Sequence, residues 1–346
     1  MFEAILKEFD IDPDAPVKPF GSGLINNTWL ISNETNDFIL QRINHNVFKN
    51  PVDIASNIHL ICVHFKTNHS DYLFPCPRKT LAGDQMLFIN DEGYFRIFPF
   101  IKNSHTTDVV SSSSQAYEAA KQFGRFTNLL SGFPVNNLKI TIPDFHNLSL
   151  RYSQFESAIK KGNKERIKQA GASIRFLKEQ YEIAGRSEQI SKDPGFKKRV
   201  THHDSKISNV LFDQNNLGLC VIDLDTVMPG YFISDFGDMM RTYLSPVSEE
   251  EKDINKIEIR EEYFKAIADG YLSEMGNELT AIEKEHLVYA GKFMTYMQAL
   301  RFLTDYLNND IYYGSKYEGH NFIRANNQVE LLKKITKKEK ILQKLI

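Results

Sequence analysis

Three polar side chains near the middle of the chain have the types and the spacing that phosphoryl transfer needs. Asp204 lies five residues before Asn209 and nineteen residues before Asp223. A carboxylate can orient an attacking hydroxyl and accept its proton, and carboxylate and amide oxygens are ligands that Mg²⁺ prefers. The set therefore predicts a catalytic base at Asp204 and a magnesium site made by Asn209 and Asp223.

The residues between these positions predict a β-hairpin. Residues 210–212 and 219–222 are apolar runs, and the polar, glycine-containing segment 213–218 separates them. This pattern is typical of two antiparallel strands joined by a turn. Asn209 precedes the first strand and Asp223 follows the second, so a hairpin brings both oxygen ligands to one metal ion.

Each of these residues also has an ordinary structural explanation. Asp and Asn often cap turns next to strands, and a His-x-Asp-x-x-x-x-Asn string recurs by chance. The coupled pattern is harder to obtain by accident, because the base, the amide, two strands and the carboxylate must all fall in register. We therefore favour the catalytic interpretation.

The motif resembles that of the aminoglycoside phosphotransferase and choline kinase family. Its residues are, in chain order, His202, Asp204, Asn209, Ile222, Asp223 and Asp235. Within that family, residues 221–230 look most like the corresponding segment of the N-acetylhexosamine 1-kinases. One departure is His203, which stands where many members have glycine, and it bears on the local backbone of the loop.

The resemblance implies a fold, a cofactor and supporting residues. The fold is an α+β, protein-kinase-like one of two lobes, with an antiparallel sheet first and a mostly helical lobe after it. ATP is the phosphate donor and Mg²⁺ the metal. His202 and Asp235 support residues 202–209, here called the catalytic loop, and Asp225 either assists the metal site or contacts the substrate.

A glycine-containing stretch precedes the first predicted strands. Gly21 and Gly23 are followed by a β-prone run, which suggests a hairpin whose turn could lie over nucleotide phosphates. Glycine permits close approach of backbone N–H groups to anionic oxygens, although an ordinary tight turn fits the same residues. The resemblance implies that this is the nucleotide-covering loop, with Asn26 as a polar contact.

Residues 38–43 predict a third strand, in which Gln41 and Arg42 point to opposite faces. The resemblance implies a cation on the face toward the phosphates, usually lysine. We favour Arg42, because a guanidinium group binds phosphate oxygens bidentately. The alternative is an exposed arginine at the strand end, with Gln41 toward the phosphates.

Two further strand-like runs cover residues 85–89 and 93–101, and Pro99 should end the sheet. We place the connection between the lobes there, with Phe98 and Phe100 as walls of an adenine pocket or as plain core residues. Helical periodicity follows and predicts helices over 115–130, 164–184, 261–272 and 283–307. The predicted domains are a sheet lobe of residues 1–102 and a helical lobe of residues 103–346.

Residues 312–324 mix aromatic, amide and charged side chains, which suits a wall for a sugar acceptor. Tyr317 and Arg324 are the candidates there, together with Asp225; a packed helix–loop–helix corner is the alternative. Residues 333–346 contain six lysines and one glutamate. A polycationic aminoglycoside would call for clustered acids instead, although a solvated helix end explains the lysines equally well.

Composition is ordinary for a globular protein, with 42% hydrophobic and 25% charged residues and a formal net charge of −2. The balance gives no sign of a nucleic-acid surface, and no apolar run reaches the length of a membrane span. The first residues lack a signal-peptide core. Cys62, Cys76 and Cys220 lack metal-site spacing, so we expect reduced thiols in a cytoplasmic protein.

The sequence thus predicts transfer of the ATP γ-phosphate to a sugar hydroxyl. The resemblance implies the anomeric 1-hydroxyl of an N-acetylhexosamine, with nucleotide and sugar as the partners. A choline-like compound, another amino alcohol or an aminoglycoside is the alternative acceptor. A pseudokinase that only binds nucleotide is disfavoured, because base, amide and metal carboxylate are all present.

Overall fold

The chain forms an antiparallel sheet first and a mostly helical region after it. The computed structural model describes residues 1–21, 25–33 and 36–346. The order of the elements confirms the predicted α+β, kinase-like architecture. We call the part from α1 to β5 the sheet region and the part from α3 to α12 the helical region, with the bounds given below.

In the described residues the sheet has five antiparallel strands, in the order β1-β2-β3-β5-β4. Its strands are β1 Val17–Pro19, β2 Asn27–Ile31, β3 Phe38–Arg42, β4 Leu87–Ile89 and β5 Gly93–Pro99. Helix α1 (Phe2–Glu8) precedes them, and helix α2 (Pro51–Asn68) separates β3 from β4 along the chain. Strands β3, β4 and β5 lie within the predicted runs 38–43, 85–89 and 93–101.

Strand alternation gives this sheet two different faces. Helix α1 covers one face, in a small core formed by Ile5, Leu6, Phe9, Ile31, Leu40, Phe95 and Ile97. Gln41 and Arg96 are neighbours of core residues along their strands and pair with each other across β3 and β5. They therefore point from the opposite face, toward the helical region.

Helix α2 begins with Pro51 at its first position, where proline's missing N–H costs nothing. The helix is docked on the helical region by the fully buried side chain of Asn57. Asn57 Nδ2 donates to the carbonyls of Lys139 (2.9 Å) and Val227 (3.0 Å), and its Oδ1 accepts from the Lys139 N–H (2.8 Å). One side chain thus satisfies three backbone groups.

A disulfide joins Cys62 of α2 to Cys76 in the segment after it, with the two Cα atoms 5.8 Å apart. The prediction of reduced thiols is therefore wrong for this pair, while Cys220 is a buried free thiol. The chain reverses direction after α2 and brings Cys76 back beside the helix. Sequence spacing alone did not reveal that return.

The described helical region contains ten α-helices and two short antiparallel strand pairs. Its helices are α3 Ser113–Leu129, α4 Leu148–Lys161, α5 Lys164–Gln169, α6 Gly171–Glu179, α7 Glu182–Lys192, α8 Phe232–Tyr243, α9 Glu261–Met275, α10 Ala281–Glu285, α11 Leu287–Leu307 and α12 His320–Gln343. Its strands are β6 Arg199–Thr201, β7 Val210–Phe212, β8 Gly218–Val221 and β9 Met228–Gly230.

Helix α11 lies at the centre of this region, between α8, α12 and α4. Most of its residues are buried on every side, as expected for a helix that is apolar all round. In the described parts of the chain, no helix combines the length and the apolar character needed to cross a bilayer.

The predicted single helix over 164–184 is wrong. Three helices, α5 to α7, occupy residues 164–192, with breaks before Gly171 and at residues 180–181, and α4 was not predicted. Asn163 caps α5 by accepting from the N–H groups of Glu165 and Arg166. The apolar spacing continues through the breaks, so periodicity did not detect them, whereas glycine's poor helix propensity favours the break before Gly171.

Replacing Asn57 with alanine should destabilise the protein by about 2–4 kcal/mol, because two buried carbonyls and one N–H lose their partner. The measurement is the free energy of unfolding from urea titration. Asn68→Ala, at the exposed end of the same helix, is the control and should change stability by less than about 0.5 kcal/mol. Equal effects of the two substitutions would contradict the docking role of Asn57.

Candidate active site

The catalytic loop follows β6, which pairs with β9, and is fixed by one carboxylate of α8. Asp235 accepts hydrogen bonds from the backbone N–H groups of His202 (2.9 Å) and His203 (2.7 Å). Asp235 is buried, so water does not compete for these bonds. The His202 ring nitrogen Nε2 lies 2.9 Å from the Ile222 carbonyl, which ties the loop to the end of β8.

His203 has a left-handed backbone conformation, with φ 67°. Glycine adopts this conformation without steric cost, which is a backbone reason for the glycine that the resemblance implies here. The His203 ring Nδ1 lies 2.8 Å from Ser234 Oγ and 3.3 Å from His146 Nδ1. A Cβ at Gly230 would stand 2.4 Å from His203 Cε1, so Gly230 leaves room for the imidazole.

Asp204 projects from the loop beside a lysine and an amide. Lys206 Nζ donates to Asp204 Oδ2 at 2.8 Å, and Asn209 Nδ2 donates to the same oxygen at 2.9 Å. Burial by itself would raise the pKa of Asp204, but Lys206 and the Asn209 hydrogen bond outweigh it, so the pKa lies below its usual value. Asp204 is therefore a charged carboxylate at neutral pH and can accept a hydrogen bond from an alcohol.

The hairpin of β7 and β8 brings Asn209 to Asp223. Val210 pairs with Val221, and the Ile222 N–H donates to the Asn209 carbonyl at 2.9 Å. Asp223 has a left-handed backbone, with φ 62°, and its side chain turns toward Lys206, whose Nζ lies 4.0 Å from Asp223 Oδ2. The predicted base, amide and metal carboxylate are thus assembled around one lysine.

Protein atoms packed around the carboxyl group displace much of its water, and this desolvation and the negative charge of Asp225 raise the pKa of Asp223 to about 6, although the side chain stays partly exposed. A nearby cation stabilises the charged form of such a carboxylate, because its positive charge offsets both the desolvation and the repulsion from Asp225. Lys206 supplies part of this compensation, since Asp223 and Asp204 in turn raise the pKa of the lysine against the opposing effect of burial.

The donor set fits a nucleotide-bound Mg²⁺. Asn209 uses its amide nitrogen on Asp204 and leaves its oxygen available, and the Asp223 side chain is 40% exposed. Residues 1–21, 25–33 and 36–346 contain no group of three or more His, Cys, Asp or Glu that could hold a metal. Mg²⁺ does not require one, because it usually keeps several waters and takes one or two carboxylates together with substrate phosphates.

Asp225 is buried and bound to the sheet region. Arg96 Nη2 of β5 lies 2.5 Å from Asp225 Oδ1, and both side chains are almost fully buried. Asn26 Nδ2 donates to Asp225 Oδ2 at 2.7 Å. The carboxylate of Asp225 therefore joins the sheet to the catalytic hairpin, and the structure does not bring it to an open acceptor position.

Arg42 lies on the face of the sheet away from the catalytic loop, on the same side of β3 as the core residue Leu40. Its Nη1 pairs with Glu92 Oε2 at 2.9 Å. Gln41 takes the inward position, where its Oε1 accepts from Arg96 Nε (3.0 Å) and Nη2 (2.8 Å). The structure does not bring Arg42 together with Asp204.

The glycine-containing stretch forms the connection between β1 and β2. Gly21 has φ 78°, and a Cβ there would meet open space; Gly23 lies outside the described residues. Asn26 Oδ1 accepts from the Asn44 N–H at 3.0 Å while its Nδ2 contacts Asp225. Asn26 thus links the end of this connection to the catalytic hairpin.

The two predicted aromatic residues lie at the end of β5. The Arg96 guanidinium carbon stands 4.9 Å from the centre of the Phe98 ring. Phe98 also packs against the main core, and the Phe100 ring meets Phe20 edge-on at 6.0 Å. Phe98 therefore belongs to both the core and the cleft.

A chain of alternating charges leads away from the base. Arg241 pairs with Asp238 Oδ1 (2.9 Å) and Glu249 Oε2 (2.6 Å), and Glu249 also pairs with Arg324. Burial raises the pKa of Asp238 against the opposing effect of Arg241, and the charge of Asp204 adds to the rise. Asp238 Oδ2 is buried without a partner in the described residues. Arg324 is thus linked electrostatically to the catalytic loop.

The ring of Tyr317, the other predicted acceptor residue of this segment, is partly exposed. The Lys252 Nζ atom lies over this ring, 4.5 Å from its centre. The Arg324 guanidinium stacks on Phe302, with its carbon 3.7 Å from the ring centre. Most of Arg324 is therefore committed to internal contacts.

Sequence reasoning missed several residues of the site. Lys206 could have been found from the sequence, because it stands two positions after the proposed base within the motif. Arg96 carried a weaker one, as a charge between apolar residues of a strand. His146 and Ser234 carried none, since only the fold brings them to His203.

The comparisons with known proteins agree with this geometry. Residues 16–276 match the model of the phosphotransferase enzyme family APH, which is well over half of the chain. The chain belongs to this family. The predicted family membership is thereby confirmed, and the chain is a small-molecule phosphotransferase of the aminoglycoside phosphotransferase and choline kinase type.

Solved structures of this family share the fold at low sequence identity. A microcompartment-associated aminopropanol kinase is 15% identical, with a TM-score of 0.68, over 99% of this chain and 97% of that one. A spectinomycin phosphotransferase bound to ADP and spectinomycin is 14% identical, with a TM-score of 0.62, over 97% of each chain. Choline kinase from Cryptosporidium parvum Iowa II is 17% identical, with a TM-score of 0.59, over 99% and 96%.

The two histidines beside the loop predict a loss of stability in acid. Burial lowers the pKa of His146 well below 6.5, with His203 and Arg301 adding to the effect. Burial also lowers the pKa of His203, against the opposing charge of Asp235. Both rings stay neutral in the folded protein while the unfolded chain takes up protons below about pH 6.5. Stability from these groups is therefore present above that pH and falls below it.

The measurement is the free energy of unfolding at a series of pH values from about 7.5 to 5. His146→Gln should reduce the slope of stability against pH, by about 1.4 kcal/mol over the range for each unit of pKa depression removed. His45→Gln, on the exposed surface, is the control and should keep the wild-type slope. An unchanged slope in His146→Gln would show that this ring does not stay neutral.

Proposed function

We propose that this protein transfers the γ-phosphate of ATP to a sugar hydroxyl, most specifically the anomeric 1-hydroxyl of an N-acetylhexosamine. The observation that carries the kinase proposal is the position of Lys206, 2.8 Å from Asp204 and 4.0 Å from Asp223. One cation between a base and a metal carboxylate is suited to a phosphoryl group in transit, because catalysis of this transfer is mainly positioning and charge stabilisation.

In the proposed reaction, the acceptor hydroxyl donates a hydrogen bond to Asp204. The acceptor oxygen forms a bond to the γ-phosphorus as the bond between that phosphorus and the bridging β–γ oxygen breaks. The hydroxyl proton passes to Asp204, and ADP leaves with the bridging oxygen. Lys206 offsets negative charge on the moving group, and Asn209 and Asp223 would hold Mg²⁺, which neutralises phosphate charge when bound.

Nucleotide binding is proposed for the cleft between the sheet region and the catalytic hairpin. Gly21 and Gly23 belong to the connection that would cover the phosphates, and Phe98 and Phe100 would wall the adenine. The proposed domain division at residues 102–103 lies just after Phe100, where such a ligand would touch both parts. The cleft is therefore proposed to be shared by both domains.

The acceptor is proposed to lie beyond Asp204, on the side of Asp238 and Arg324. Positively and negatively charged groups line this side, so it can both donate hydrogen bonds to hydroxyl and amide groups and accept hydrogen bonds from them. Arg301 stands 5.3 Å from the Tyr313 ring and 5.6 Å from the Phe145 ring, and in the described chain its hydrogen-bond partners are not carboxylates. Its Nη1 donates to Gln298 Oε1 at 3.0 Å and its Nη2 to Tyr312 Oη at 3.5 Å, so its charge is not neutralised by these partners. A charged guanidinium beside aromatic rings suits a sugar, which offers oxygens and apolar ring faces.

This wall favours a neutral acceptor over a cationic one. Among the described residues Arg301 has no carboxylate partner, whereas the acids Asp238 and Glu249 are already paired with Arg241 and Arg324. A polycationic aminoglycoside or a quaternary ammonium group would be repelled unless it displaced those pairs. A small hydroxylated alcohol other than a sugar remains the second candidate, because the base and its lysine do not depend on the rest of the acceptor.

We place the reaction in the cytoplasm, where ATP is supplied. The Cys62–Cys76 disulfide is uncommon for that compartment, because its thiol systems keep most cysteines reduced. Nucleotide and a small-molecule acceptor are the proposed partners. No nucleic-acid partner is proposed, since the net charge is −2.

Asp204→Asn should lower kcat by about 100- to 10,000-fold, because the amide cannot accept the proton. ADP affinity should stay within about threefold, since the side chain faces the acceptor rather than the nucleotide base. The measurements are coupled-assay kinetics and calorimetric ADP titration. Asp269→Asn, an exposed acid on α9, is the control and should keep full activity. Near-normal kcat in Asp204→Asn would refute the role of the base.

The acceptor is identified by ADP release with Mg-ATP across free sugars, amino alcohols and aminoglycosides, followed by ³¹P NMR of any product. The expected product is an anomeric phosphate of N-acetylglucosamine or N-acetylgalactosamine, absent in Asp204→Asn. Turnover restricted to amino alcohols or aminoglycosides would replace the sugar assignment. Binding of ATP without turnover on any acceptor would favour the nucleotide-binding pseudokinase.

A further inference from the structure

Arg96 lies on β5 and points from the sheet toward the catalytic hairpin. It is buried there, with 1% of the residue exposed. Its Nε and Nη2 both donate to Gln41 Oε1, and Nη2 also pairs with Asp225. These partners fix the guanidinium on one side. Its remaining nitrogen, Nη1, is buried and has no hydrogen-bond partner among the described residues.

Arg96 lies between the aromatic end of the cleft and the proposed metal site. On one side lies Phe98, whose ring centre is 4.9 Å from the guanidinium carbon, at the end of the sheet where adenine is proposed. On the other side lies Asp225, two residues after the metal carboxylate Asp223. A nucleotide that runs from the aromatic end to Asp223 carries its phosphates past Arg96.

The neighbouring strand β3 does not place a cation on the inner face of the sheet beside Arg96. Gln41 takes the inward position of β3, while the charge of Arg42 is on the far face with Glu92. Gln41 is neutral, and its oxygen accepts two N–H groups from Arg96. The positive charge on this part of the inner face thus comes from β5, and β3 supplies the group that orients it.

We propose that Arg96 binds the phosphates of the nucleotide through Nη1, with Gln41 and Asp225 as the groups that orient its guanidinium. The inference rests on the proposed ATP-dependent function and adds the residue that supplies the charge. An anionic oxygen is the partner that a free guanidinium N–H binds best, and two other partners prevent the side chain from rotating away. Asp225 then acts through Arg96 and does not touch the substrate.

A structural explanation also exists, in which Arg96 only joins the sheet region to the catalytic hairpin. The two explanations differ in their dependence on phosphate. Loss of a structural link weakens all nucleosides and nucleotides alike, because it disturbs the whole cleft. Loss of a phosphate contact weakens ADP and leaves adenosine, which has no phosphate, unchanged.

The test is calorimetric titration of ADP and adenosine into wild-type protein, Arg96→Met and Arg96→Lys. Arg96→Met should weaken ADP binding by about 10- to 100-fold, the effect of losing one charge-assisted hydrogen bond, with adenosine within about twofold of wild type. Arg96→Lys should restore part of the ADP affinity, because it keeps the charge but not the planar fork. Lys79→Met removes an exposed charge from the sheet region and should change neither ligand.

Arg96→Met leaves Asp225 buried without its cation and could fail to fold. The double variant Arg96→Met/Asp225→Asn removes both charges of the pair and keeps the experiment informative. It should show the same selective loss of ADP affinity. Retention of wild-type ADP affinity in any folded variant that lacks Arg96 would overturn the proposal.

The experiment separates this proposal from the proposed function. A wild-type protein that binds ADP more tightly than adenosine, with the preference retained in Arg96→Met, overturns the role of Arg96 and leaves the kinase intact. A wild-type protein that binds ADP no better than adenosine overturns both. Loss of the preference in Arg96→Met alone supports both.

Discussion

The carboxylate of Asp235 is the constraint on which the active site depends. It accepts the N–H groups of two consecutive residues, His202 and His203, and so fixes the backbone immediately before the base. Buried backbone donors need partners, and here one side chain from α8 supplies both. The direction in which Asp204 leaves the loop follows from that anchor. Helix α8 is itself packed on α11. The largest core of the protein therefore holds α8, and through Asp235 it fixes the position of the proposed base.

Charges of opposite sign are placed next to each other throughout the site. Lys206 lies between Asp204 and Asp223, Arg96 meets Asp225, and the pairs from Asp238 to Arg324 continue the pattern. Burial makes each isolated charge unfavourable, so every group depends on its neighbour for compensation. Desolvation raises the pKa of both Asp204 and Asp223, but Lys206 and Asn209 are bonded to Asp204 and lower its pKa, whereas Asp225 adds to the rise at Asp223 and Lys206 lies farther away.

Sequence reasoning succeeded where a property is local. The β7–β8 hairpin follows from two apolar runs and a polar turn, and α3 and α9 follow from helical spacing. It failed where distant segments decide the outcome. The pairing of Cys62 with Cys76 depends on the return of the chain after α2. Periodicity also missed one local feature, the breaks that separate α5, α6 and α7, because the apolar spacing continues through them. The choice between Gln41 and Arg42 depended on which face of β3 the first helix covers.

The sequence by itself determined the family, the α+β order of elements and the closeness of Asp204, Asn209 and Asp223, the proposed catalytic set, since their spacing is imposed by one loop and one hairpin. Only the tertiary structure decided which residues complete the site. Arg96 reaches Asp225 across a large separation in the chain, and His146 and Ser234 reach His203 in the same way. The physical reason is that hydrogen bonds and ion pairs act over a few ångströms in space. Sequence spacing fixes such distances within a turn or hairpin, whereas packing fixes them between segments.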